Sequence, residues 1–320
     1  MPTSGVAHVL LIALLQVGLP IEPLSAQSSA RTSALQQMLD SAIARFPGTA
    51  GIWVKHLGTG EEGGVRADTP FNSASVIKLP VLVAAMTLVD EGRLSLDERI
   101  PITAADKRGG SGVIQYFDDG LQPTFRDVLL QMVATSDNTA TDIAIAKVGG
   151  IDRVNAWLAA RGYGESLTLL MTTGQLFAKY GALPSAEARN EKSRSDRSYW
   201  LGAMTPRATG QLIEAMQRCA DGSATGPTVV SRARCTDMMR MMRVQQSGQR
   251  RLPHYITEPV AHKTGDLPPV VANDVGVIFT RSGPVVVSLF SNAITGSYGE
   301  AEDVEGRIAQ QIVAYFNKPR

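Results

Sequence analysis

Strand-like runs occur at both ends of this 320-residue chain and helical spacing fills its middle, which limits the fold more than any other feature. Residues 49–57 read as a strand closed by the turn Gly58-Thr59-Gly60, and a second short strand follows near Val65. Beyond Pro259, strands return over 260–264, 275–280 and 285–291, separated by turn residues such as Ser282-Gly283-Pro284. Between the two sets, residues 75–91, 125–136, 139–148, 151–161, 207–219 and 232–244 carry apolar side chains at helical spacing. The same spacing covers 30–46 and closes the chain over 302–316. Strands from both termini with helices between them imply one sheet, with the helical stretch inserted as a second lobe. A cleft between two such lobes is the natural place for a site.

A hydrophobic content of 44% is ample for a packed core in a chain of this length. The net charge of +1 is spread evenly, which leaves no basic stripe for nucleic acid and no polybasic patch for a membrane surface. No repeat and no low-complexity tract is present. Residues 6–19 form a short apolar run, and Leu24-Ser25-Ala26-Gln27 after it suits cleavage following Ala26. A signal peptide over 1–26 is expected, leading to a periplasmic or secreted protein without stable membrane insertion. The usual positive residues before the run are missing, so an uncleaved anchor is the alternative. Residues 27–31 read as a polar linker. Cys219 and Cys235 are the only cysteines, and after export they can form a disulfide between neighbouring helices or remain buried thiols. His8, His56, His254 and His262 lack paired ligand spacing, so neither a metal nor another cofactor is implied.

Three short motifs carry chemistry. Ser75-Val76-Ile77-Lys78 opens an apolar helix, so Ser75 lies at its start and Lys78 follows one turn later on the same face. A serine needs a base to become a nucleophile, and a lysine whose pKa is lowered by burial or by a neighbouring cation can serve. The helix start also offers backbone N–H groups to an oxyanion. Ser136-Asp137-Asn138 falls between two helices, where the same residue types make ordinary caps. Lys263-Thr264-Gly265 falls on the strand after Pro259, where a strand end with a glycine turn is the plain alternative. Each motif alone is weak, and a Ser-x-x-Lys arises by chance about once in a chain this long.

Together and in this order, the three motifs resemble those of the penicillin-recognising serine enzymes, and among them the class A β-lactamases. Pro70-Phe71-Asn72-Ser73-Ala74, Gly149-Gly150, Ala261-His262 and Asn273-Asp274-Val275-Gly276 add to the likeness, which covers Ala34 to the C-terminus. It implies a three-layer α/β/α lobe with an antiparallel sheet, over 27–68 and 256–320, and an inserted all-α lobe over 69–255. It also implies that Ser75 is acylated, that Lys78 is its base and that Ser136 relays a proton to the leaving nitrogen. Asn138 would hold the substrate's side-chain amide, while Lys263 and Thr264 would bind its carboxylate, with Lys263 also stabilising the Ser136 region. Gly265 closes the third motif, and the N–H groups of Ser75 and Asp266 would form the oxyanion hole. The implied substrate is a β-lactam or a related acyl compound, taken by a monomer. An esterase, a DD-peptidase-like hydrolase or a slowly deacylating penicillin-binding protein are the alternatives.

The sequence departs from that family at four places. The deacylating glutamate of the family's Glu-x-x-Leu-Asn motif is missing, since Leu169-Leu170-Met171-Thr172-Thr173-Gly174-Gln175 holds no carboxylate. A charged stretch at 186–197 looks like an insertion and reads as a solvated loop, with Glu187 or Glu191 able to fold back as a substitute base. Gly109-Gly110-Ser111-Gly112 stands where an aromatic gatekeeper is common and predicts an open, flexible rim. Asp266 would repel a substrate carboxylate unless it points away or pairs with Arg250 or Arg251.

Overall fold

The computed structural model describes residues 1–2, 24–226 and 228–318. The apolar run at 6–19 lies outside them, and the expected cleavage point after Ala26 falls in the first turn of a helix. The chain opens with α1 (Leu24–Ile43), β1 (Thr49–His56), β2 (Glu62–Val65), β3 (Phe71–Asn72) and α2 (Lys78–Asp90). The middle comprises α3 (Phe125–Ala134), α4 (Asn138–Lys147), α5 (Ile151–Ala159), β4 (Leu167–Leu169), α6 (Thr173–Gly181), α7 (Ala186–Ser195), β5 (Gly202–Met204), α8 (Pro206–Asp221) and α9 (Arg232–Arg243). It closes with β6 (Val260–Leu267), β7 (Val271–Thr280), β8 (Gly283–Asn292) and α10 (Tyr298–Phe316). Residues 27–31, expected as a linker, are helical within α1. No helix among the described residues is long and apolar enough to cross a membrane.

Both termini build one antiparallel sheet in the order β2-β1-β8-β7-β6. Its centre is the pairing of the first strand with the last, from Thr49 opposite Asn292 to His56 opposite Val285. Side chains alternate between two buried layers, as a pleated strand requires. Ile52 and Val54 of β1, with Val285, Val287 and Leu289 of β8, pack with Leu35 and Leu39 of α1 and Ile308 and Ile312 of α10. Trp53, Val286 and Phe290 face the other way, into a cluster with Leu212, Ile213 and Met216 of α8. The sheet is therefore sandwiched between helices. The second cluster continues through Leu82 of α2 and Val128 and Met132 of α3, so the helical stretch and the sheet share one core.

Helix α8 lies close on the sheet. A Cβ at Gly210 would stand 2.2 Å from the ring of Trp53, a contact that only glycine avoids. Gly210→Ala is expected to destabilise the protein by about 1–3 kcal/mol through overpacking, read as a lowered Tm with unchanged far-UV dichroism. Cys219 of α8 and Cys235 of α9 form a disulfide with Cα atoms 5.8 Å apart. A second sheet, β3-β5-β4, sits inside the helical stretch and pairs Phe71 and Leu167 with Met204. Its strands of two or three residues are too short to carry a sequence period.

Candidate active site

Ser75 lies in a single 3-10 turn, Ala74–Ile77, that feeds directly into α2 at Lys78. Ala74 before it has φ of +42°, a left-handed conformation that costs an alanine energy and must be held from outside. Asn72 Oδ1 accepts from Ala74 N at 3.1 Å, and Asn273 Nδ2 donates to Asn72 O at 2.9 Å and Ser73 O at 3.1 Å. Asn72 Nδ2 donates in turn to Ser193 O on α7 at 3.1 Å. On the other side, β6 passes so near that a Cβ at Gly265 would stand 2.5 Å from Ser73 O. The third motif's glycine is thus required by the turn that presents Ser75.

Two buried amines converge on one hydroxyl. Lys78 Nζ donates to Ser136 Oγ at 2.9 Å, Ser136 O at 2.6 Å and Asn138 Oδ1 at 3.1 Å. Lys263 Nζ donates to the same Ser136 Oγ at 3.0 Å and to Thr264 O at 2.8 Å. Both lysines are fully buried. Burial first, and then the Lys263 charge, hold Lys78 well below the usual lysine range. Burial also lowers Lys263, to about 7, against the opposing pull of Asp266 and Asp274. As an ammonium, Lys78 spends all its donors on the Ser136–Asn138 turn, and Ser75 Oγ is not among its partners. Losing one proton frees a lone pair to act as a base.

The second motif both caps and reaches into the cleft. Asp137 is the N-cap of α4, accepting from Ala140 N at 2.9 Å and from Ile114 N at 2.8 Å. Ser136 before it has φ of +54°, which turns its side chain toward the lysines. The glycine rim, expected to be flexible, is fastened to this turn. Asn138 Nδ2 donates to Gly109 O at 2.9 Å, and Ser111 Oγ donates to Ser136 O at 2.7 Å.

The carboxylate of Asp266 meets Arg251, one of the two arginines expected to pair with it, and accepts from Tyr298 Oη at 2.7 Å. Burial alone would raise its pKa, but Arg251 keeps Asp266 below the ordinary carboxylate value. Arg251 also donates to Asn273 O at 2.9 Å and Glu302 Oε1 at 3.1 Å. Arg250, the other candidate, approaches Glu302 instead. Beneath this group Glu305 is buried with neither carboxylate oxygen hydrogen-bonded among the described residues, and burial pushes its pKa far up. Thr264 Oγ1 is paired with Ser247 Oγ at 2.7 Å. His262 and Asp274, buried behind Lys263, are joined at 2.8 Å.

These groups border a cleft of about 830 Å³ whose walls include Ser75, Ser136, Asn138 and Asp266. Its far wall is α6 and α7, so the charged stretch read as a solvated loop is mostly helix. Glu187 and Glu191 are exposed and neither lines the cleft. At the start of α6, Thr173 N and Gly174 N both donate to Asp142 at 2.9 Å, and Asp142 is paired with Arg108. Thr173 lines the cleft, and its buried hydroxyl has no partner among the described residues.

A serine at a helix start, beside buried amines and a cleft between sheet and helices, defines a serine hydrolase of the penicillin-recognising fold. A profile of the β-lactamase enzyme family matches residues 32–316. The chain belongs to that family. It is 24% identical to β-lactamase VEB-1 of Pseudomonas aeruginosa over 97% of this chain and 98% of that one. A crystal structure of a β-lactamase from Sphaerobacter thermophilus DSM 20745 is 30% identical, covers 91% of this chain and 98% of its own, and superposes with a TM-score of 0.72. An ancestral class A β-lactamase (GNCA) shares the fold with a TM-score of 0.73, at 22% identity over 88% of this chain and all of its own.

Proposed function

We propose that this protein is an exported serine β-lactamase-like hydrolase that opens β-lactam rings through an acyl-Ser75 intermediate, which it empties slowly. The observation that carries the reading is the single hydroxyl of Ser136 held between Lys78 and Lys263 at the edge of the cleft that Ser75 lines. Neutral Lys78 takes the Ser75 proton as Oγ attacks the lactam carbonyl. The new O–C bond forms, the C–N bond breaks, and the nitrogen takes its proton from Ser136 Oγ, which is resupplied by the Lys78 ammonium. The N–H groups of Ser75 and Asp266 stabilise the oxyanion, and Asn138, Thr264 and Lys263 hold the substrate's polar groups. The apolar run at 6–19 supports export, to the compartment where a disulfide persists.

The neutralising of Asp266 by Arg251 supports a substrate carboxylate beside it, since the repulsion expected of a free aspartate is removed. The absence of a carboxylate over 169–175, where the family carries its glutamate, favours slow hydrolysis of the acyl-enzyme. Intact mass measured over time with a penicillin tests the reading. The native protein is expected to gain one penicilloyl mass and keep it for minutes or longer, and Ser75→Ala to gain none. A native protein that never forms the adduct would overturn the proposal.

A further inference from the structure

Helices α6 and α7 form a fixed wall of the cleft. Ser193 O on α7 accepts from both Asn72 Nδ2 at 3.1 Å and Trp200 Nε1 at 2.9 Å, and Ser193 Oγ meets Tyr180 Oη at 2.7 Å. Asn292 Nδ2 on β8 donates to Arg194 O at 2.9 Å. Tyr180 stacks on Tyr199 with ring centroids 6.3 Å apart. The wall is therefore tied to the loop that presents Ser75 and to the central sheet, not merely laid against them.

The lining changes in character along this wall. Leu176, Phe177, Tyr180 and Leu201 make it apolar, and Arg189 and Asn190 lie at its α7 side. Among the described residues, two arginines line the cleft. Arg251 is spent on Asp266, Glu302, Tyr298 and Asn273 O. Arg189 is not: among the described residues no carboxylate pairs with it, and its guanidinium, 6.0 Å from the Tyr180 ring centroid, keeps its donors open. A guanidinium with unused donors beside an apolar surface matches an anion carried on an apolar spacer, because its planar fork accepts a carboxylate in two parallel bonds.

We infer that Arg189 and Asn190 form an anion subsite for the acyl portion of the substrate, which selects acyl groups with an apolar spacer ending in a carboxylate. The inference rests on the acyl-serine reading above and names the substrate class of the same site. The spacer lies along Phe177 and Tyr180, and the carboxylate meets Arg189. A charge-assisted bidentate pair at a partly exposed site gives about a tenfold preference.

The test uses two penicillins that differ only in the acyl side chain, an aryl-acetyl parent and its carboxylate-bearing analogue. Second-order acylation rates are measured for native protein, Arg189→Gln, Arg189→Lys and Arg194→Gln, the last carrying a lost charge on the same helix outside the cleft lining. The expected result is a native preference for the anionic analogue of about tenfold that falls to about one in Arg189→Gln, recovers in part in Arg189→Lys and persists in Arg194→Gln. Equal native rates, or a preference that survives Arg189→Gln, overturn the inference while the adduct itself leaves the acyl-serine reading standing. If neither compound acylates the native protein, that reading fails, and equilibrium binding of the same pair to Ser75→Ala by calorimetry decides the subsite by the same ratio. Binding of neither compound there overturns the subsite as well.

Discussion

Lys78→Ala is expected to slow the acylation of Ser75 by about 10²–10⁴, the usual worth of a positioned general base. The native rate should also have a bell-shaped dependence on pH. In the proposed mechanism, acylation needs Lys78 without its extra proton and Lys263 with its charge. Lys78 is held well below the ordinary lysine value, chiefly by burial, so the rate rises with pH as this group deprotonates. Lys263 is lowered to about 7, so the second-order rate of the free enzyme falls as pH rises through that value. A bound substrate carboxylate stabilises the Lys263 ammonium, which moves the falling limb upward in the saturated complex. Lys263→Arg keeps the charge at every accessible pH and should remove the falling limb. The measurement is the acylation rate from pH 5 to 10 by stopped-flow with a chromogenic cephalosporin. A native profile that stays flat through pH 7, or a Lys78→Ala rate equal to the native one, would sink this assignment.

The parts of this site that the sequence disclosed are those whose neighbours are local. Ser75 and Lys78 stand one turn apart at a helix start, and the cap of α4 is written in Asp137 of the second motif. The terminal strands are legible as short apolar runs, Ile52-Trp53-Val54 and Val285-Val286-Val287, bounded by Gly and Pro turn residues. Contacts between distant segments left no such trace. Asn72 and Asn273 hold the nucleophile turn across 201 positions of sequence, and Tyr298 and Glu302 join Arg251 from the last helix. Helix α7 carries no large apolar side chain and so shows no helical apolar period. Only Ser193 is buried in it, and its stability comes from the Ser185 cap and from pairs such as Lys192 with Asp196. Polar composition describes a loop and such a helix equally well. The rim of Gly109–Gly112 was read as loose from its glycines alone, since the bonds that fix it come from Asn138 and Ser111.

Thr173→Glu is expected to shorten the life of the acyl-enzyme by about 10² or more, turning slow release into turnover. The residue lies in the first turn of α6, lines the cleft together with Ser75 and Asn138, and carries a buried hydroxyl with no partner among the described residues. Leu176 follows three positions later, which matches the leucine of the Glu-x-x-Leu-Asn motif, while Phe177 stands in place of its asparagine. A carboxylate at 173 would meet two opposing influences. The helix start favours its charge, while burial and the neighbouring Asp142 disfavour it. Where burial outweighs the helix start, such a carboxyl is a better base near neutral pH than an exposed one. With Phe177 in place of the motif's asparagine, a hydrolytic water would have one fewer polar neighbour, so the double change Thr173→Glu with Phe177→Asn should exceed the single one. Intact mass reports the adduct lifetime, and nitrocefin turnover reports the steady rate. Acylation that is unchanged, in a variant whose Tm matches the native protein, together with an adduct no shorter-lived than before, would show that release is limited elsewhere than at the start of α6.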